Sequence, residues 1–420
     1  MSRPATTGSW SRPSIESRLA AAGLQPLPRT AWLEIDLDAL RDNLEVLRGL
    51  AGPGVPVRPV VKADAYGHGA VPIARALEAG GVDGFCVAAF DEALELREAG
   101  VRAPILVLYP APAVWAMEAA RLGIAVTAGD AALLDELAHA LARAPRDAPL
   151  EIELEVETGL GRGGLAGDDL VDAARRIVTT PWLRLIGLWT HLQAVEDGEL
   201  TARQVARFEA ASAMVAGAGI PLPVRHVAAS AAVIAGGVGT YDGIRPGLAI
   251  YGLVPDELAP GAIPAAAVDG LRPVMALYAR PVRVQDLPEG WGISYGPTFR
   301  TSRPSRIATL PLGYGDGWAR QLSNRASAIV RGVRVPLVGN VAMDAVMADV
   351  TEVPGPPVGT GDEFVLIGRA ADERITVADL AHERTTNRWE VVTGMARRLP
   401  RVYHAAAGPV GLRALTERSY

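Results

Sequence analysis

The sequence predicts an α/β protein of 420 residues, a (β/α)8 TIM-type barrel followed by a mostly antiparallel β-barrel domain. Three observations point there. From about residue 31 to 265, short β-like runs alternate with helical patterns, the rhythm of repeated βα units on a parallel sheet. Eight such runs can be counted along that stretch, the number a closed barrel needs. After about residue 265 the βα rhythm gives way to short β-rich segments broken by Gly and Pro, as in a small antiparallel barrel. No GxGxxG follows the first strand, so a doubly wound dinucleotide-binding sheet has weak support.

The elements follow in chain order. Residues 1–28 carry Arg, Ser and Pro without an apolar h-region, so a disordered tail is expected there rather than a signal peptide. TAWLEIDLDAL (30–40) alternates and then turns helical; its strand, 30–37, is compatible with the second domain as well as with the barrel. Barrel strands are expected at 55–62, 84–89, 104–109, 123–128, 152–157, 183–191, 223–228 and 248–253. The stretches between them, such as AVPIARALEAGG and TARQVARFEAASAMVAGAG, read as helices. Several end in Gly, which suits a helix C-terminus. The later β segments are expected at 274–287, 306–315, 326–339, 345–351 and 361–368, followed by a helix at 377–385 and WEVVTGMARRLPRVY. The expected organisation is a barrel over 29–265, a β domain over 266–410 and a tail over 411–420.

Composition narrows the function. With 49% apolar and 21% charged residues, the chain has material for a large core. A net charge of −6 gives no support to a nucleic-acid binder. No uncharged apolar run reaches 18 residues, so no transmembrane helix and no membrane partner is expected. The single cysteine, Cys86, excludes an intramolecular disulfide and a Cys-rich metal centre, and no metal site is expected.

The basic residues are more telling. Of 41, 40 are Arg and one is Lys, Lys62. A chain that uses Arg wherever a cation serves keeps one primary amine, a group that can lose its proton and attack a carbonyl. Lys62 ends the first barrel strand in VVKADAYGHG, and the C-terminal strand ends of a barrel form its active face. An interior strand lysine is rare unless paired or functional, and burial beside other cations lowers its pKa and frees the amine.

Residues 58–70, RPVVKADAYGHGA, resemble the cofactor-lysine motif of the alanine racemases. ETGLGRGG (157–164), GLWTHL (187–192), RHVAASAA (225–232), GIRPGLAIYGL (243–253), GISYGPTF (292–299), LPLGYGDGW (310–318) and GNVAMDAVM (339–347) resemble further segments of that family, in order, from roughly Trp32 to Tyr403. The resemblance implies a pyridoxal 5'-phosphate enzyme that interconverts L- and D-alanine with two bases. Lys62 would carry the cofactor and serve the proton of the D-isomer, and Tyr295 in SYGPT would serve the L-isomer from the opposite face. In the family this Tyr comes from a second subunit, so a homodimer with shared sites is implied. Arg245 would contact the pyridine nitrogen and, being always protonated, would not leave that nitrogen protonated. His226 would orient Arg245; His191 would lie against the ring; Tyr66, Ser230, Gly247 and Leu248 would hold the phosphate. Arg162 would sit near the substrate carboxylate, and the partner subunit's copies of Tyr314, Met343 and Asp344 would line the substrate and its entry. The family setting is cytoplasmic supply of D-alanine for peptidoglycan.

The chain departs from the family pattern at identifiable positions. Many members carry a carbamylated Lys where this chain has Glu155, and a lysine carbamate is impossible there; Glu155 is expected to supply the negative charge to Arg162 directly. Trp389 stands where the family has a Tyr on the phosphate and the substrate side chain. Ala229 and Ala342 replace Asn and Cys. These changes keep open a serine or broad-specificity racemase of the same fold. A third possibility is a non-catalytic pyridoxal-phosphate-binding protein, against which the second domain and Tyr295 count.

Overall fold

A computed structural model describes residues 12–142, 148–258, 268–406 and 408–415. It divides into two units, residues 39–273 and residues 1–38 with 274–420. The expected boundary at 265/266 lies outside the described residues; the described division falls at Pro273 and Val274.

The first strand of the chain, β1 (Ala31–Asp36), belongs to the second of these units. In the first, β2 (Phe85–Val87), β3 (Ile105–Val107), β4 (Ile124–Ala128), β5 (Leu150–Glu155), β6 (Leu183–Trp189) and β7 (Val224–His226) form one parallel sheet in that order. Helices between them bury their apolar stripes: Ala70–Ala79 buries Ile73, Ala74 and Leu77, and Gly167–Thr179 buries Leu170, Ala173, Ala174 and Ile177. Two extended segments close the ring. Val61 N donates to Cys86 O (2.9 Å) and Cys86 N to Pro59 O (3.0 Å), which joins 56–61 to β2. Arg58 N donates to Ile244 O and Val60 N to Pro246 O (both 2.9 Å), and Arg245 N to Ala228 O (2.9 Å), which joins 244–246 to both neighbours.

Two of the eight expected strands are therefore not regular strands. Over 55–62 there are only isolated bridges at Val57 and Val60, because Pro56 and Pro59 have no N–H to donate to a ladder. The eighth barrel position is held by 244–246, and the expected strand at 248–253 is a 3-10 turn, Leu248–Tyr251. Ser230 Oγ accepts from Gly247 N (2.9 Å) and Ala249 N (3.1 Å), so those amides serve a side chain instead of a neighbouring strand.

In the second unit β1 pairs in parallel with β18 (Arg401–Ala405) and antiparallel with β8 (Met275–Ala279). The sheet continues through β9 (Arg283–Leu287), β12 (Ser305–Leu310), β13 (Ser327–Val330), β14 (Val333–Val338), β15 (Val346–Asp349) and β16 (Phe364–Ala370), all antiparallel. β17 (Glu373–Ile375) pairs with β16, and β10 (Gly292–Ile293) with β11 (Phe299–Arg300) forms a separate hairpin. Trp32 of β1 is fully buried and stacks on Tyr278 at 5.7 Å.

Part of each expected tail is regular structure instead. Residues 1–11 and 416–420 lie outside the described residues, but 12–28 are ordered. Ser14 caps the helix Ile15–Ala21, whose Ile15 and Leu19, one turn apart, are fully buried. Arg12 lies 4.2 Å above the Tyr278 ring and pairs with Glu34 (3.0 Å) and with Glu363. Arg18 also reaches Glu34, at 2.7 Å. These charges hold the Glu34 carboxyl at about 2 in spite of its burial, through the Arg18 hydrogen bond and then the Arg12 charge. At the other end β19 (Gly408–Arg413) pairs with β18, with Leu412 opposite Val402.

Candidate active site

Lys62 stands where the extended segment 56–61 breaks into a left-handed turn. Ala63, Asp64, Ala65 and Tyr66 have φ of 51°, 56°, 53° and 53°, a conformation that costs L-residues roughly 1–2 kcal/mol each. Side chains hold it in place. Glu92 Oε1 accepts from Ala63 N (2.6 Å) while its Oε2 accepts from Ala88 N (2.7 Å). Asp64 Oδ1 accepts from Ala70 N at 2.8 Å. His68 Nδ1 lies 2.9 Å from Ala65 O and 3.0 Å from Tyr66 O; between two acceptors, that nitrogen carries the proton. Burial, and then the charge of Arg162, lower the Lys62 pKa below the usual lysine value, which favours the neutral, nucleophilic amine.

A polar chain runs through the barrel interior. Arg245 is 3% exposed. Its Nη1 donates to His226 Nδ1 and to His226 O (2.9 Å), and its Nη2 to Thr190 O (2.8 Å). Since arginine only donates, His226 Nδ1 is the acceptor and the proton sits on Nε2, which donates to Glu153 Oε2 at 2.5 Å. Glu153 Oε1 in turn pairs with Arg58 at 3.0 Å. Burial and then the neighbouring Arg245 depress His226 to about 4, against the pull of Glu153, so the imidazole is neutral at pH 7. Glu153 keeps its charge although burial opposes it, because His226 and Arg58 hold its carboxyl below the usual carboxylate value. The carboxylate fits only because its neighbour on β6 is Gly187: a Cβ there would lie 2.5 Å from Glu153 Cδ. Among the described residues the Arg245 side-chain hydrogen bonds engage Nη1 and Nη2 alone, which leaves Nε–H for a ligand, while the guanidinium lies 5.1 Å from the centre of the Trp189 ring.

The remaining barrel residues gather round this chain. Burial, then the charges of Arg245, Arg162 and Lys62, push His191 down to about 3. Arg162 Nη2 donates to Glu155 Oε1 at 3.0 Å, and its guanidinium lies 5.3 Å from the centre of the Tyr109 ring. Tyr66 and Gly247 meet closely enough that a Cβ at 247 would lie 2.6 Å from the Tyr66 hydroxyl. Burial raises the Tyr66 pKa far above normal, so its hydroxyl remains a hydrogen-bond donor. Gly247 lies against that hydroxyl, Ser230 is tied to Gly247 by the bond already described, and Leu248 follows Gly247 in the chain. The structure thus brings together Lys62, Tyr66, Glu155, Arg162, His191, His226, Ser230, Arg245, Gly247 and Leu248.

Tyr295, Tyr314, Met343, Asp344 and Trp389 all belong to the other unit. Tyr314 N donates to Ala342 O (3.0 Å) and Gly315 N to Met343 O (2.9 Å), which sets Tyr314 beside Met343. Arg398 ties the pair of loops, bonding buried Asp316 (2.7 Å) and Asp344 (2.6 Å). Tyr295 is 79% exposed, Met343 53% and Tyr314 43%, an uncovered group of large apolar side chains. Trp389 is half-buried on the helix Arg388–Thr393, capped by Asn387.

Glu153, Arg58, Glu92 and Gly187 were not singled out from sequence. One signal was present: in LEIELE the glutamates 151, 153 and 155 fall on one face of a strand, and an acid facing a barrel interior is rare unless paired.

A barrel with a half-buried lysine at the end of its first extended segment and, in its interior, an arginine locked to a neutral histidine, followed along the chain by an antiparallel β unit, defines a class of barrel-and-β-domain proteins that offer one nucleophilic amine. The profile of the alanine racemase N-terminal domain matches residues 35–255 and that of the alanine racemase C-terminal domain residues 274–403. The chain is 38% identical to alanine racemase 2 of Caldanaerobacter subterraneus subsp. tengcongensis over 89% of its own length and 95% of that protein. It is 40% identical to alanine racemase of Symbiobacterium thermophilum over 89% and 97%. A crystal structure of alanine racemase from Bacillus anthracis with bound L-Ala-P superposes with a TM-score of 0.85 at 32% identity, covering 92% of this chain and 98% of that one. The chain belongs to the alanine racemase family, which depends on pyridoxal 5'-phosphate. The residues present fit that group: a single free amine, the glycine-only space at 247 beside the Tyr66 hydroxyl, and a buried arginine with Nε–H to spare.

Proposed function

We propose that this protein interconverts L- and D-alanine, with Lys62 and Tyr295 as its two proton-transfer groups. Bound pyridoxal phosphate supplies the electron sink that acidifies the substrate Cα–H. The chain's own residues do the rest. Lys62 Nζ moves the proton on the D-face of Cα, and Tyr295 Oη the proton on the L-face, since inversion needs one group to remove a proton and another to return one from the opposite side. Arg245 would offer its Nε–H to the pyridine nitrogen, its Nη1 and Nη2 being engaged elsewhere. Because His226 is neutral and turned by Glu153 to accept, Arg245 stays a fixed cation and withholds a proton from that nitrogen. Tyr66, Ser230, Gly247 and Leu248 would hold the phosphate, and His191 would lie against the ring. Arg162, held by Glu155, orients the substrate carboxylate.

The observation that carries the proposal is the lone Lys62 amine, with lowered pKa, in a barrel whose interior holds the Arg245–His226–Glu153 chain. The exposed group of Tyr295, Tyr314, Met343 and Asp344 supports a homodimer in which each subunit completes its partner's site. The role that goes with this reaction is cytoplasmic supply of D-alanine for peptidoglycan; no helix among the described residues is long and apolar enough to cross a membrane. The test is alanine racemisation by the holoenzyme in heavy water. Wild type should exchange the Cα proton during turnover, and Tyr295→Phe should lose racemisation. A Tyr295→Phe protein with wild-type activity overturns the assignment.

A further inference from the structure

Tyr295 presents an anomaly: a side chain 79% exposed sits on a turn bound far more tightly than solvent exposure requires. The hairpin of β10 and β11 carries Ile293 and Phe299 underneath, packed with Ile307, Val338, Leu287 and Met347. The tip between them is laced by one residue. Asn340 Nδ2 donates to Tyr295 O (2.8 Å) and Gly296 O (3.1 Å). Thr298 Oγ1 donates to Asn340 Oδ1 (3.2 Å), and Ser294 Oγ to Asn340 O (2.6 Å). Asn324 supports the lacing, donating to Thr298 Oγ1 (2.9 Å) and accepting from Gly339 N (2.6 Å). Ser294 is held at φ 66°, a left-handed conformation that a serine keeps only when its surroundings fix it. Asn340 also lies three residues before Met343, so it joins the Tyr295 turn to the loop that carries Met343 and Asp344.

We infer that Asn340 is a positioning residue for the proton-transfer step of Tyr295, holding the tyrosine hydroxyl at a fixed place above the surface it presents to a partner subunit. The inference rests on the two-base role assigned to Tyr295 above. A carboxamide suits this role because it donates two hydrogen bonds to successive carbonyls and accepts from Thr298 at once, without adding charge beside a phenol that must gain and lose a proton. An Arg or Lys at 340 could donate but not accept, and an Asp could accept but not donate.

The test is the holoenzyme of Asn340→Ala and Asn340→Asp, assayed in both directions with alanine deuterated at Cα and normalised to bound cofactor. A loosened Tyr295 makes removal of the L-isomer's proton slower, while Lys62 is untouched. The expected result is a fall in kcat of roughly 10- to 100-fold, the scale for a misplacement of about 1 Å, with KM within about twofold. The primary isotope effect should rise with L-alanine and not with D-alanine. A purely structural loss lowers the active fraction and leaves both isotope effects at their wild-type values. If Asn340→Ala does not fold, Asn340→Asp, which keeps the Thr298 bond, carries the test. Unchanged isotope effects in a folded variant overturn the inference. Tyr295→Phe run alongside separates the two claims: if it is inert and the Asn340 variants behave as wild type, only the positioning role falls; if it racemises at the wild-type rate, the two-base assignment falls first.

Discussion

Replacing Gly187 by alanine should be among the most damaging single-methyl changes in the barrel, and the reason can be isolated. The added Cβ would lie 2.5 Å from Glu153 Cδ and 2.7 Å from its Cγ and Oε2, so the carboxylate has to leave. Its departure breaks the 2.5 Å bond to His226 and the 3.0 Å pair with Arg58 and leaves Arg245 and Arg58 without their nearest anion. Removing one partner of a buried pair costs about 3–5 kcal/mol. For a unit of this size each kcal/mol lowers Tm by roughly 2–4 °C, so Gly187→Ala should lower it by about 6–20 °C. Glu153→Ala should cost about the same, because it deletes the same contacts. The double variant decides the matter. Independent effects sum to within about 0.3–0.5 kcal/mol, whereas here the second change has nothing left to expel, and the double variant should be no less stable than Glu153→Ala alone. Guanidinium unfolding of cofactor-stripped protein, followed by far-ultraviolet circular dichroism, measures all four corners of the cycle. Additive losses would refute the claim that Gly187 exists to house the Glu153 carboxylate.

Other expectations follow from the same structure. His191 and His226 are held neutral, at about 3 and about 4, against 6.5 for a free histidine. The unfolded chain therefore binds more protons than the folded one below pH 6.5, and stability is lost as pH falls through that window, about 3 kcal/mol per histidine by pH 4 at roughly 1.4 kcal/mol per pH unit; a flat unfolding midpoint from pH 7 to 4.5 would contradict this. Glu155→Ala should raise KM for alanine about tenfold by freeing Arg162, Glu155→Gln less so, and added bicarbonate should leave wild-type kinetics unchanged; equal KM in all three proteins would remove Glu155 from the site. Leu19→Ala should destabilise the protein by about 2–5 kcal/mol, as expected for a fully buried leucine, whereas a disordered tail would tolerate it without a change in midpoint.

Much of the architecture was legible because it is repetitive. The alternation of β2 to β7 with helices is written in apolar periodicity, and six of the eight expected barrel strands lie where the pattern put them. The first and eighth positions were harder for opposite reasons. Pro56 and Pro59 leave an extended segment without a ladder, and at 248–251 an apolar run that resembles a strand is bent by its hydrogen bonds to Ser230. Ile15 and Leu19 escaped notice because two apolar residues in a polar, Pro-flanked segment make a weak signal until β19 and Glu34 are in place. In the site, residues joined by a short motif were readable from it, such as Lys62 with Tyr66. The Glu153–Arg58 pair was not, because 95 positions separate its members and only the closed ring brings them together. The same holds for Asn340 and Tyr295, 45 positions apart.

The place of β1 has a consequence for how the chain is made. This strand leaves the ribosome early, yet both its neighbours, β8 and β18, are encoded after the whole barrel. At about 5–20 residues per second, roughly 20–70 s pass between the synthesis of Trp32 and that of its last neighbour. During that interval the barrel has all its strands and can close, while a strand rich in apolar residues waits with both edges open. Such an edge is a template for wrong pairing. The unit that carries Tyr295 is therefore the last to form, and a released chain truncated after residue 273 should hold a finished barrel and an unpaired β1.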